Sequence, residues 1–337
     1  MAAPIPIVDF GKFLHGSDEE RKRIAGDIDD AFRNVGFVYL ENHGVPKDKV
    51  DECFEWSKSF FALPLQTKLL APHPPGSTHH RGYSSPGLEK VSQHTYDSSS
   101  LAALRSVPDY KESFESGNTV DAFQPNIWLP EEKLPGFRAA MESFFTLCEG
   151  LVKSVLDALS LALDVSPLNG LAETHAQSLF QLRILHYPPL PAADLASQKR
   201  ARINAHSDFG SVTLLFQDAV GGLEIEDPRE KGVWRGVQPR EGCVLVNVGD
   251  LMARWSNERW KSTVHRVVAP RGRGGQDQDG AKVLPPRYSI PFFAAPDPDT
   301  LIDALPGCWS ASNPKKYEPV TVGDYVKMRM AALYADE

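Results

Sequence analysis

Between Phe180 and Phe293 the chain repeatedly makes short runs of β-branched and aromatic residues and then breaks them with Gly, Pro or Asp. The runs are Phe180–Tyr187, Val212–Phe216, Leu223–Glu226, Trp234–Val237, Cys243–Val248, Ser262–Val268 and Arg287–Phe293. Such spacing is the signature of an antiparallel sandwich or barrel. Among those architectures a double-sheet jelly roll has an open mouth suited to a metal site. The expected fold is therefore mainly β with flanking helices, a double-stranded β-helix core preceded by an α/β N-terminal region.

The flanks read differently. Ile5–Asp9 and Gly36–Leu40 have strand character, and Ser17–Val35 has helical spacing behind a Ser17 N-cap with Glu20 three residues later. A second helix is expected over Lys47–Phe61. Proline and glycine then mark a loop-rich stretch to about Pro108, in which Arg81–Gly87 reads as a lid. From Gly136 to Leu163 apolar residues recur at helical spacing, which predicts one long helix bracing the sheet, and Val322–Leu333 reads as a terminal helix. This divides the chain into a leader over 1–130 and a jelly-roll core over 131–337 with its bracing and C-terminal helices. No internal repeat is visible.

The balance of 36 Lys+Arg against 44 Asp+Glu, a net −8, comes with no basic run. That removes the electrostatic footprint expected for nucleic acid or an anionic membrane. A small-molecule substrate fits better, and oligomeric state is left open. Cys53, Cys148, Cys243 and Cys308 form no C-x-x-C pair and read as reduced thiols. The start of the chain has neither a basic flank nor a long apolar run, so a cytoplasmic protein is expected.

Chemistry concentrates in Ala205-His206-Ser207-Asp208-Phe209-Gly210. On an extended segment i and i+2 point the same way, so His206 and Asp208 can meet one ion. A third ligand must come from elsewhere. His265, within Ser262–Val268, is the candidate, on a strand placed opposite the first across the mouth of the roll. Two histidines and one carboxylate on one face leave adjacent positions open, the arrangement of Fe(II) oxygenases that bind a chelating cosubstrate together with O2. Arg287 and Ser289 share one side of a later strand and suit a carboxylate held in fixed orientation, here the distal carboxylate of 2-oxoglutarate. Alone, H-x-D arises by chance and R-x-S is usually a solvated face; their order and spacing together carry the reading.

With these residues the chain resembles the 2-oxoglutarate and Fe(II)-dependent dioxygenase superfamily, in the branch containing isopenicillin N synthase and the plant flavonoid and hormone oxygenases. Ile5-Pro6-Ile7-Val8-Asp9-Phe10, Gly36-Phe37-Val38-Tyr39-Leu40 and Asn42-His43-Gly44-Val45-Pro46 match the leader of that branch. Arg81-Gly82-Tyr83-Ser84, Glu89-Lys90-Val91-Ser92, Leu185-His186-Tyr187-Pro188 and the Gly249–Asn257 segment are similar to fungal thymine 7-hydroxylase-like and pathway oxygenases. The resemblance implies that His206, Asp208 and His265 ligate iron, and that Arg287, Ser289 and Tyr187 bind 2-oxoglutarate. It implies no catalytic side chain beyond the metal ligands. Plant members usually have Asn-Tyr-Tyr-Pro at Leu185–Pro188, so an asparagine contact to the cosubstrate is absent here, and the polar insert Arg271–Lys282 reads as a surface hairpin loop.

The resemblance also implies hydroxylation of a small-molecule C–H bond, in fungal secondary or nucleobase metabolism, with release of succinate and CO2. Candidate substrate contacts are Arg81 and Tyr83 on the lid, Phe114, Arg183 and Phe292. Residues such as Phe114 and Phe292 are more often core aromatics, and Arg183 also reads as the partner of a carboxylate. The family puts equivalents of Arg183 and Phe292 at the pocket wall. His186 points away from Tyr187's side of its strand, while the His79-His80 pair and His175 read as solvated or capping residues. Two rivals stay open: an oxidase that needs no 2-oxoglutarate, with Arg287 and Ser289 on the substrate's own carboxylate, and a non-catalytic jelly-roll binding protein.

Overall fold

Short strands with alternating character need two faces covered, and the chain covers them with a second sheet on one side and helices on the other. A computed structural model of the chain describes residues 5–76, 79–87, 109–164, 170–196, 201–270, 275–276 and 282–334. The Glu89–Ser92 match and most of the 271–282 insert lie outside those residues; at the edges of the insert, Gly275–Gln276 pairs antiparallel with Lys282–Leu284.

The strands are β1 (Ile7–Asp9), β2 (Phe37–Glu41), β3 (Gly82–Ser84), β4 (Glu112–Gly117), β5 (Gln181–Tyr187), β6 (Leu190–Pro191), β7 (Ile203–His206), β8 (Val212–Gln217), β9 (Leu223–Glu226), β10 (Trp234–Gly236), β11 (Cys243–Val248), β12 (His265–Val267), β13 (Gly275–Gln276), β14 (Lys282–Leu284) and β15 (Arg287–Phe293). Among the described residues they form an eight-stranded major sheet, β1-β2-β11-β8-β15-β5-β4-β3, and a four-stranded minor sheet, β10-β9-β12-β7. Only the β1–β2 pair of these sheets is parallel. Four strands of the major sheet come from the first 117 residues, so leader and core share one hydrogen-bonded sheet.

Parity sorts the side chains. Phe37, Tyr39, Leu185, Tyr187 and Leu245 of the major sheet pack with Ile203, Leu223, Ile225 and Val267 of the minor sheet. Their even-numbered neighbours Val212, Leu214, Phe216, Val244, Val246, Ile290 and Phe292 face the helices. The Phe137–Ala162 helix lies against that face, with Phe145 5.0 Å from Phe292 and Phe144 5.4 Å from Phe216 between ring centroids. Other expected helices also form, Asp18–Asn34, Lys47–Phe61 and Val322–Tyr334, the first with the Ser17–Glu20 capping box complete. Cys53, Cys148 and Cys308 are buried and none of the four cysteines is paired.

Two expectations change. The Arg81–Gly87 segment is not a free lid: Gly82–Ser84 is the buried edge strand β3, paired with β4. Gly82 sits at φ +82°, where a Cβ would meet the Ala71 carbonyl oxygen at 2.7 Å, so only glycine lets this strand dock. β4, Glu-Ser-Phe-Glu-Ser-Gly, was hidden from the sequence by its polarity. Burial is possible because its acids find cations. Glu112 accepts from Lys68 Nζ at 2.7 Å and Tyr83 Oη at 2.6 Å, and lies 2.7 Å from His186 Nδ1. Replacing Glu112 by leucine strands the buried Lys68 ammonium and is expected to cost about 3–5 kcal/mol, read as a lower denaturant midpoint at unchanged slope. An unchanged midpoint would remove this network as the reason β4 can be polar.

Candidate active site

His206 ends β7 and His265 starts β12, and the two residues are direct cross-strand partners in the minor sheet. The second histidine therefore lies beside the first, not across the mouth. Their ring centroids are 4.3 Å apart. Asp208, two residues past His206, brings Oδ1 to 3.9 Å from His206 Nε2 and 3.8 Å from His265 Nε2. Each ring turns its other nitrogen to a backbone carbonyl two residues earlier, His206 Nδ1 to Asn204 at 2.9 Å and His265 Nδ1 to Thr263 at 3.3 Å. This leaves both Nε2 lone pairs for an ion. Asp208 Oδ2 accepts from Thr213 Oγ1 and Asn247 Nδ2, each at 2.7 Å, which ties the carboxylate to β8 and β11 and leaves Oδ1 for the metal.

Electrostatics agree with the geometry. Burial, then the neighbouring His265, pushes His206 down to about 3. Burial works against the charge on Asp208, but His265, His206, Asn247 and Thr213 outweigh it and hold the carboxyl below its ordinary value. At neutral pH His206 is therefore an uncharged imidazole and Asp208 a carboxylate, the forms in which they can ligate a divalent ion.

The loop that carries Asp208 has little room to shift. Gly210 packs so closely on β15's end that a Cβ would lie 2.0 Å from the Ala294 carbonyl oxygen. Asp250 accepts from Ser207 Oγ at 3.0 Å and from Ser262 Oγ at 2.5 Å, joining the two ligand-bearing segments. Thr213, Asn247 and Asp250 were not found from the sequence. Parity along β8 and β11 would have found the first two once one inward residue was known. Replacing Asn247 by leucine should weaken Fe(II) binding by roughly 10- to 100-fold, as loss of an outer partner commonly does. Unchanged affinity by anaerobic titration would mean that Thr213 alone orients the carboxylate.

On the major sheet, Arg287 and Ser289 lie on the inner face of β15, with Arg287 in register with Tyr187 of β5 and Ser289 in register with Leu185. Arg287 Nη1 donates to Ser289 Oγ at 3.1 Å and Nη2 to Gln217 Oε1 at 3.3 Å. Its guanidinium carbon lies 4.9 Å from the Tyr187 ring centroid. Arg287 Nε and Gln217 Nε2 are buried with no protein acceptor. A buried cation with unmet donors is costly unless a ligand supplies the acceptor. A carboxylate fits this cradle, and the triad's donor set of two imidazoles and one carboxylate fits Fe(II).

The other candidates separate by face. Arg183 is on the inner side, ion-paired with Glu115 at 2.6 Å and with its guanidinium carbon 5.6 Å from the Phe293 ring centroid. Phe114 and Phe292 are not brought to the site: both sit on even positions and pack against helix-side aromatics, Phe114 with Phe60 and Phe137, Phe292 with Phe145 and Phe180. Tyr83 spends its hydroxyl on Glu112, and Arg81 is tied to Asp121 at 3.0 Å and to the Gln124 and His80 carbonyls. Strand pairing and these buried partners account for all four. His186 lies on the helix side, stacked on Tyr288. His175, expected to be a solvated or capping residue, is fully buried between the Leu171 carbonyl and Ser211 Oγ. His73, His80 and Glu115 also gather donor atoms, but Glu115 already accepts from Arg183 and Gln181, so a cation there would compete with a guanidinium.

A jelly roll whose minor sheet presents two histidines, whose adjoining loop presents a carboxylate and whose major sheet presents an arginine–serine cradle on its inner face defines the class of Fe(II)- and 2-oxoglutarate-dependent oxygenases. Family profiles agree: residues 5–135 match the "non-haem dioxygenase in morphine synthesis N-terminal" family and residues 178–296 the "2OG-Fe(II) oxygenase superfamily". A 2-oxoglutarate-dependent dioxygenase of Dothideomycetidae sp. is 38% identical over 98% of this chain and 97% of its own length. A proline hydroxylase of Petromyces alliaceus is 38% identical over 97% and 98%. The fungal thymine 7-hydroxylase of Neurospora crassa, solved with alpha-KG, superposes with a TM-score of 0.85 at 38% identity, covering 99% of this chain and 97% of that one. The chain belongs to the 2-oxoglutarate and Fe(II)-dependent oxygenase superfamily and is a dioxygenase with Fe(II) as cofactor and 2-oxoglutarate as cosubstrate. No helix among the described residues is long and apolar enough to cross a membrane.

Proposed function

We propose that His206, Asp208 and His265 hold the Fe(II), that Arg287, Ser289 and Tyr187 hold 2-oxoglutarate, and that the enzyme hydroxylates a C–H bond of a small molecule in fungal secondary or nucleobase metabolism. The observation that carries the assignment is the pairing of an open three-ligand face with a buried guanidinium whose Nε lacks an acceptor. Bound together, the metal and cosubstrate supply O2 activation coupled to loss of CO2 and formation of succinate. The protein's own part is positional. Thr213 and Asn247 fix which Asp208 oxygen faces the ion, Asp250 sets the distance between the two ligand segments, and Arg287 with Ser289 fixes the cosubstrate's far end. Arg183 and Glu115, facing inward beside Phe293, form a polar and aromatic wall suited to a substrate with hydrogen-bonding groups.

Support for the metabolic setting comes from the relatives, which include a Neurospora crassa enzyme solved with thymine and a proline hydroxylase. The test is a screen of metabolite mixtures for substrate-dependent succinate release, with the His206→Ala protein as blank. Oxidation of a metabolite without succinate would replace this reading with that of a 2-oxoglutarate-independent oxidase.

A further inference from the structure

Arg202 stands four residues before His206, at the entry to β7, and is fully buried. In sequence it follows Lys199, Arg200 and Ala201, and arginine is a residue type seldom fully buried. In the fold one nitrogen, Nη2, donates to the Pro285 carbonyl at 2.6 Å, two residues before Arg287. Its Nε and Nη1 are buried with no acceptor. The guanidinium carbon lies 5.8 Å from the centroid of the same Tyr187 ring that Arg287 approaches at 4.9 Å. One tyrosine therefore has two buried guanidiniums beside it, and between them Arg202, Arg287 and Gln217 leave four buried nitrogens unsatisfied.

Charge gives the same account. The acid whose field reaches Arg202 is Asp218, and both its oxygens are engaged by backbone amides, of Val220 and Tyr288. Arg287 opposes the charge on Arg202, so an anion placed between the two guanidiniums would relieve their repulsion. An anion bearing several acceptor lone pairs would do so, and a neutral group would not.

Building on the cosubstrate site proposed above, we infer that Arg202 is a second guanidinium for the distal carboxylate of 2-oxoglutarate, acting with Arg287. β7 then carries an iron ligand at one end and a carboxylate receptor at the other, so both ends of the cosubstrate are read by residues four apart in sequence. A dicarboxylate should be selected over a 2-oxo acid that lacks the far carboxylate.

The test compares 2-oxoglutarate with 2-oxobutyrate, by calorimetric titration of the full chain loaded with redox-silent Mn(II), for wild type, Arg202→Met, Arg202→Lys and Arg287→Met. Arg202→Met is expected to weaken 2-oxoglutarate by roughly 10- to 100-fold, the effect of losing hydrogen bonds between charged partners, and to leave 2-oxobutyrate unmoved. Arg202→Lys should fall between. Removing a buried, partly unpaired cation should not lower the melting temperature of the ligand-free protein, whereas the rise in melting temperature on adding 2-oxoglutarate should shrink. Equal weakening of both oxo acids with a lower melting temperature would make Arg202 structural and overturn the inference, as would no weakening of either. If Arg287→Met alone loses the preference, the inference falls and the cosubstrate site stands. If neither variant loses it, the site itself is misplaced.

Discussion

The His206→Ala protein is expected to lose Fe(II) binding and to show turnover reduced by roughly a thousandfold or more. A metal supplies several kcal/mol of transition-state stabilisation, and each 1.4 kcal/mol is about tenfold in rate. The hydrogen-bond partner of His206 is the Asn204 carbonyl at the end of β7, so the substitution removes a ligand without breaking a hydrogen bond to another element's side chain. The remaining pair, Asp208 and His265, cannot close the face of a facial triad. The readouts are anaerobic Fe(II) titration and succinate formation, with the melting temperature as control. Retained iron affinity in a folded variant would mean that the triad is not the metal site.

Arg287→Ala should separate cosubstrate from metal. The cradle joins a guanidinium to a carboxylate, and hydrogen bonds between charged partners contribute about 1.5–3 kcal/mol each, so a two-point contact is expected to raise the 2-oxoglutarate requirement by roughly 100-fold or more. Fe(II) affinity should stay, because no ligand of the triad bonds to Arg287: its partners are Ser289 and Gln217. Loss of iron and of 2-oxoglutarate in equal measure would show that Arg287 supports the metal site and that the cosubstrate lies elsewhere.

Strand parity divides what was legible from what was not. It predicted that His206 and Asp208 would point the same way and that His186 would turn away from Tyr187; the donor atoms of His206 and Asp208 lie within 4.8 Å of each other, and His186 stacks on Tyr288 on the helix side. Applied to β15, it also separates Phe292 from Arg287 and Ser289, which lie an odd number of positions away, and the ring packs on Phe145 and Phe180. The attribution of Phe292 to the pocket wall had come from family resemblance, and the local alternation was the better guide. Polar β4 and buried Arg202 were invisible for a different reason. Composition marks a segment as exposed, and it cannot see that Lys68 or an orphaned pocket will make burial affordable.

The sequence by itself determined the sandwich and the bracing helix, because period-2 and period-3.6 patterns are local properties of the chain, and it carried the candidate triad and R-x-S residues as motifs in order. Only the tertiary structure decided that His265 pairs directly with His206, that Asp208 is oriented by Thr213 and Asn247, and that Arg202 joins Arg287 around Tyr187. Those relations depend on strand order, and strand order is set by contacts among residues tens to hundreds of positions apart, which no local pattern encodes.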